Sequence, residues 1–148
     1  MTLYKFVLLL HSGFRYIVLV LILLAILQAI PAWFRKKAYT EGNRKINLFA
    51  MISAHTQLLI GLVLYFLSPY VKFAPGVMKD PQARYWTVEH ITLMILALVL
   101  ITIGHAKSKR ITLPEGKHRV IGMFYSVALI VIVMAIVMSK RSFFGVSA

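Results

Sequence analysis

Three histidines interrupt long apolar runs of this chain: His11, His55 and His90, each in a different run. Ionisable side chains are costly inside a bilayer, and those found there mark functional positions by default. Neutral imidazole is also the commonest metal ligand among side chains. Arg15 stands four residues after His11, so the two share one helix face. An arginine at mid-span costs roughly 2.5–3.5 kcal/mol on insertion scales and calls for a partner. Together these residues point to ligation of a metal or a metal-bearing cofactor whose anionic edge a guanidinium would neutralise.

Cysteine narrows the choice, because there is none. Disulfides, thiolate zinc sites and thiolate-held iron–sulfur clusters are excluded. So is covalent haem attachment through C-x-x-C-H. A b-type haem needs no covalent link and fits between helices of a bundle, with imidazole on both faces of the iron.

The elements that must position these side chains are visible in the hydropathy. The chain has 148 residues, 60% hydrophobic and 14% charged, where a soluble domain carries about 25% charged residues. Four apolar runs, residues 3–34 (interrupted at Pro31), 46–67, 85–106 and 120–138, are long enough to span a bilayer. Runs of this length without alternation predict helices rather than a barrel. The N-terminal stretch is too long for a signal-peptide core and lacks an A-x-A-like site, so it reads as a retained span.

Lys+Arg number 17 against four acids, giving a formal net charge of +13. The bases cluster between apolar runs, where anionic headgroups would meet them, which argues for a membrane and against nucleic acid. Arg35, Lys36, Lys37, Arg44 and Lys45 follow the first run; Lys107, Lys109, Arg110, Lys117 and Arg119 follow the third. The positive-inside rule predicts these connections in the cytoplasm and both termini outside, although Lys5, Lys140 and Arg141 then lie outside too. Trp33, Trp86, Tyr39, Tyr70 and Tyr85 near the run ends suit an aromatic belt. The second connection, Ser68 to Arg84, carries Pro69, Pro75, Pro81, Lys72 and Lys79, and is long enough for a structured cap. The expected architecture is an all-α, integral-membrane, up-down four-helix bundle forming a single domain.

At 1.5 Å per residue, His11 falls roughly 12 Å below the outer boundary, His90 roughly 8 Å and His55 roughly 18–20 Å. His11 and His90 are thus the expected axial pair. His55 stays open as an alternative ligand, a hydrogen-bonding neighbour or a ligand of a second haem. Arg15 would bind a propionate, with Glu89 as the protein-only partner, and Arg84 would reach propionates from the outer surface. Gln57 lies about 200° from His55 on the helix and is left for another helix or a second protomer, so a homodimer stays open. His105 and His118, at the cytoplasmic ends of spans three and four, read first as interfacial and solvated, and second as ligands of a lower haem. Met51 before His55 and Met94 after His90, each four residues away, would suit copper(I). Gly122-x-x-x-Ser126 is a small-xxx-small pattern that lets helices approach closely. No Gly-rich phosphate loop, catalytic triad or carboxylate pair stands in the sequence, which leaves hydrolytic chemistry without support.

The segments His11-Ser12-Gly13-Phe14-Arg15-Tyr16, His55-Thr56-Gln57-Leu58-Leu59-Ile60-Gly61-Leu62, Leu64-Tyr65-Phe66-Leu67-Ser68-Pro69 and Lys79-Asp80 through Glu89-His90 resemble the small bacterial four-span proteins known as cytochrome b-like. The likeness covers nearly the whole chain. It implies a haem b and an electron-carrying role, borne by His11, His55 and His90 with Arg15 and Glu89 as neighbours. His105 and His118 match no motif of that family. Larger four-helix cytochromes b that oxidise quinol or superoxide are similar in architecture alone.

The expected function is therefore a b-type cytochrome of the bacterial inner membrane, with one haem in the outer half and a second left open. It would pass single electrons between quinol and a redox partner at the outer face, as a carrier or a quinol-linked oxidoreductase. Two rivals are a copper- or metal-handling membrane protein and a haem-free accessory or assembly subunit of a membrane complex.

Overall fold

The computed structural model describes residues 2–69, 71 and 73–139. Tyr70, Lys72, Lys140 and Arg141, counted above as belt or loop residues, lie outside the described residues. Four helices, Leu3–Phe34, Glu41–Leu67, Pro81–Arg110 and Pro114–Met138, are each long and apolar enough to cross a membrane. No strand occurs among the described residues.

Three of these helices begin before the apolar runs do; polar caps set the start of two, and a proline the start of the other. Thr40 and Asn43 form a capping box: Thr40 Oγ1 accepts from Asn43 N at 3.1 Å, and Thr40 N donates to Asn43 Oδ1 at 2.9 Å. The second helix therefore starts at Glu41. Asp80 caps the third helix by accepting from Gln82 N at 3.1 Å, with Pro81 in the first helical position. Pro114 opens the fourth in the same way. Hydropathy marks the apolar stretch of each helix, and the caps add polar turns beyond it. Pro31 does not break the first helix, which runs on to Phe34. So close to the helix end, the missing N–H removes little of the hydrogen-bond ladder.

The helices form a ring in chain order. The first packs closely on the second and fourth, and the third on the fourth, while the second and third touch far less. Small residues set the close contacts. A Cβ on Gly104 would lie 2.5 Å from Phe124 Cβ, and one on Gly122 would lie 3.2 Å from Ile30 Cγ1 and 3.7 Å from Ala29 Cβ. The Gly122 pattern thus serves the seam between the first and fourth helices. Ile22, Ala25, Ala29, Ala50, Ile101, Ile121, Tyr125 and Ala128 form the buried core. Large apolar side chains such as Leu27, Leu59, Phe66 and Ile130 stand exposed around the ring, as a lipid-facing surface requires and an aqueous one does not.

The end of the bundle bearing the first and third connections is held by polar contacts. Gln28 Nε2 donates to Asn47 Oδ1 at 3.1 Å and to the Asn43 carbonyl at 3.0 Å, and Asn43 Nδ2 donates back to Gln28 Oε1 at 3.0 Å. Asn47 Nδ2 donates to Tyr39 Oη at 2.9 Å, and Tyr125 Oη donates to the Asn47 carbonyl at 2.8 Å. Asn47 and Tyr125 are essentially fully buried, and their bonds cross between helices where no water would compete.

Candidate functional site

The third helix contains a π-helical turn, Tyr85–Glu89, directly before His90. Its wider winding brings residues five apart into register, where α-helical spacing would hold them about 140° apart. Two side-chain pairs depend on it. Tyr85 Oη lies 3.3 Å from His90 Nδ1, and Arg84 Nε donates to Glu89 Oε1 at 2.9 Å.

The Tyr85 contact sets the state of His90. The hydroxyl has one proton, and it donates that proton to the Ala135 carbonyl of the fourth helix. Toward His90 it can only accept. Nδ1 of His90 therefore carries the ring proton, and Nε2 keeps its lone pair for a ligand. A metal-binding histidine has this arrangement, with its far nitrogen hydrogen-bonded and its near nitrogen free.

His11, from the first helix, lies across from it. The two imidazole centroids are 6.4 Å apart with ring planes at 69°. Metal–imidazole bonds of about 2 Å put the centroids of two rings on opposite sides of one metal roughly 6 Å apart, at any angle between the planes. Gly61 makes room for the His11 ring: a Cβ there would come within 3.2 Å of His11 Nε2. Gln57, which the sequence left for another helix or a second protomer, reaches the first helix and donates to the His11 carbonyl at 2.8 Å. His11 Nδ1 and Gln57 Oε1 are both buried without a hydrogen-bond partner. Buried polar atoms normally have one, so such exceptions point to a missing group or water.

His11, Arg15 and His90 line one cavity inside the bundle, which is open on one side. The rest of its wall is largely apolar, from Val18 and Leu58 to Met94 and Ile136. Arg15 is buried, with its guanidinium 5.1 Å from the centroid of the Tyr16 ring and Nη2 3.3 Å from Tyr16 Oη. The residues present fit a haem on three counts: the centroid separation, the tautomer of His90 and a cation within an apolar wall.

The structure places the other candidate residues elsewhere. His55 does not line the cavity. Its Nδ1 donates to the Met51 carbonyl at 2.8 Å, and its Nε2 faces Thr102 Oγ1 of the third helix at 3.4 Å. Arg84 does not line it either; besides Glu89 it donates to the Met78 carbonyl at 3.2 Å. Glu89 is thereby the partner of Arg84. Met94 lines the cavity with His90, while Met51 does not.

His105 and His118 correct the expectation of solvated, interfacial histidines. They are 2% and 1% exposed. His118 Nε2 donates to the Ala38 carbonyl at 3.1 Å, and its ring meets Tyr39 edge-on at 5.1 Å. The first connection folds back over the fourth helix and covers it. Both ring nitrogens of His105 are buried without a hydrogen-bond partner. Tyr85 and Trp86 also depart from the belt reading: they are buried, packed with Val71 over the cavity. No group of three or more histidine, aspartate or glutamate side chains gathers among the described residues, so the candidate centre is a histidine pair.

No family model, curated protein or solved structure matches this chain.

Proposed function

We propose that the protein is a multi-pass b-type cytochrome of the bacterial inner membrane, with both termini on the outer side. It binds haem b between His11 and His90 and passes single electrons between quinol and an outer-face partner. The observation that carries this reading is the His11–His90 pair, 6.4 Å between ring centroids, inside an apolar cavity. The resemblance of the three histidine segments to cytochrome b-like proteins supports it.

His90 would ligate through Nε2, with Tyr85 holding Nδ1–H. His11 would be the second ligand, its ring seated over Gly61 and its backbone tied by Gln57. Arg15 would bind a propionate, lowering the cost of a buried guanidinium and of the anion together. Haem iron supplies a one-electron couple, which axial ligation, hydrogen bonding and burial tune. The apolar wall excludes water, and the Tyr85 bond keeps the His90 ring from turning.

The test is the absorbance of protein purified from haem-replete cells. A Soret band that shifts on reduction is expected in the wild type and in His55→Ala, and is lost in His11→Ala and His90→Ala. A wild type with no such band overturns the reading. Met94 beside His90 in the cavity gives copper(I) its one structural foothold. That second reading predicts tight copper(I) binding that Met94→Leu weakens, with no Soret band.

A further inference from the structure

We infer that the cavity takes up its ligand sideways from the lipid phase, through a window between the second and third helices. This rests on the haem reading for the identity of the occupant, a haem dissolved in the bilayer; the window itself rests on packing. The other sides of the cavity are more tightly packed, although Leu19 and Ile132 on them are also partly exposed. His11, Arg15, Val18 and Ile136 of the first and fourth helices are buried. At the end near the second connection, Trp86 and Val71 roof it. At the opposite end, Ala54 and Ile101 floor it, at 9% and 1% exposure.

The fourth side is different. The second and third helices are the loosest adjacent pair in the ring. Among their cavity-lining side chains, Leu58, Leu62, Ile91, Met94 and Leu98 are partly exposed, while Leu64 near the roof is buried. The Tyr65 hydroxyl and the His55 ring make polar contacts across this seam. Near the roof, Tyr65 Oη donates to the Thr87 carbonyl at 2.7 Å. Toward the floor, His55 Nε2 meets Thr102 Oγ1 at 3.4 Å. Between these posts the second helix advances ten residues, roughly 15 Å, and the edges facing each other are aliphatic side chains and a methionine. A window with apolar jambs admits apolar molecules and holds back water-borne ones. His55, which does not line the cavity, becomes one of its posts.

The absence of cysteine makes the test clean. Leu62→Cys and Met94→Cys are introduced together, and the haem-free protein is reconstituted in vesicles whose bilayer holds haem. Bridging the two thiols with a cleavable bis-maleimide is expected to slow the growth of the Soret band at least tenfold. Cleaving the linker restores the rate, and bridging after loading leaves the band intact. Equal loading with and without the bridge overturns the window. A wild-type protein that never gains a Soret band overturns the haem reading, and a second measurement then judges the window alone. Leu62→Cys by itself should react with a lipid-dissolved maleimide and resist a membrane-impermeant one. Reaction with the impermeant reagent from either side would show a water-facing mouth and overturn the proposal.

Discussion

Tyr85 is the residue whose chemistry would make His90 a ligand in the proposed centre. Its hydroxyl gives its proton to the Ala135 carbonyl, so its oxygen must receive the His90 Nδ1 proton. One side chain thereby fixes the tautomer of His90 and ties the third helix to the fourth. Tyr85→Phe removes both bonds while keeping the ring. The far-side hydrogen bond of a metal-binding histidine is typically worth 10- to 100-fold in affinity, so the variant should release haem about 10- to 100-fold more readily. Its helix content should match the wild type. The measurement is haem transfer to an apo-globin acceptor, followed at the Soret band. Unchanged transfer would mean that Nδ1 of His90 needs no partner. Arg15 belongs to the same scale: its charge sits four residues beyond His11 on the cavity wall, where an anionic edge would meet it.

The helices carry this pair in place through contacts of uneven tightness. The third and fourth helices approach so closely at Gly104 that any Cβ would stand 2.5 Å from Phe124 Cβ, a contact with an atom next to the backbone and unable to swing away. Gly104→Ala should therefore destabilise the bundle by about 1–3 kcal/mol, as over-packing of well-filled cores does. Adding Phe124→Ala should not restore that loss, because alanine keeps the clashing Cβ; both are read as the thermal midpoint in detergent, and a single variant as stable as the wild type would show that the two helices can part freely. The four spans, the histidines and the Arg15 spacing were legible in the sequence because they depend on hydropathy and α-helical periodicity. The Tyr85–His90 and Arg84–Glu89 pairs were not, since residues five apart face different directions on an α-helix and only the π-helical turn aligns them. Burial of His118 was hidden for a different reason: the first connection covers it through the Ala38 carbonyl, and connections carry no periodic signal. Gly61 offered a faint clue, standing one helical turn beyond Gln57 on the same face, but nothing in one sequence said that this face meets His11.

At the scale of the whole molecule, charge and apolar surface divide the chain in a way that fixes its expected orientation. The first and third connections hold ten lysines and arginines against Glu41 and Glu115. Glu41 is further engaged by Arg44. The second connection and its flank hold Lys72, Lys79 and Arg84 against Asp80 and Glu89, and Arg84 is paired to Glu89. Cationic loops stay on the cytoplasmic side during insertion, so the proposed topology has the basic end facing inward and the Trp86 roof of the cavity facing outward. Haem between His11 and His90 would then lie nearer the outer leaflet, which is what an outer-face electron partner needs. The cysteine-free chain allows a direct check with single cysteines. In intact cells, a membrane-impermeant maleimide should label Phe73→Cys in the second connection. It should leave Lys37→Cys and Lys109→Cys unlabelled until the membrane is permeabilised. Labelling of Lys37→Cys in sealed cells would invert the topology and move the proposed electron exit to the cytoplasmic face, while the cavity, its histidine pair and its window would keep their places in the bundle.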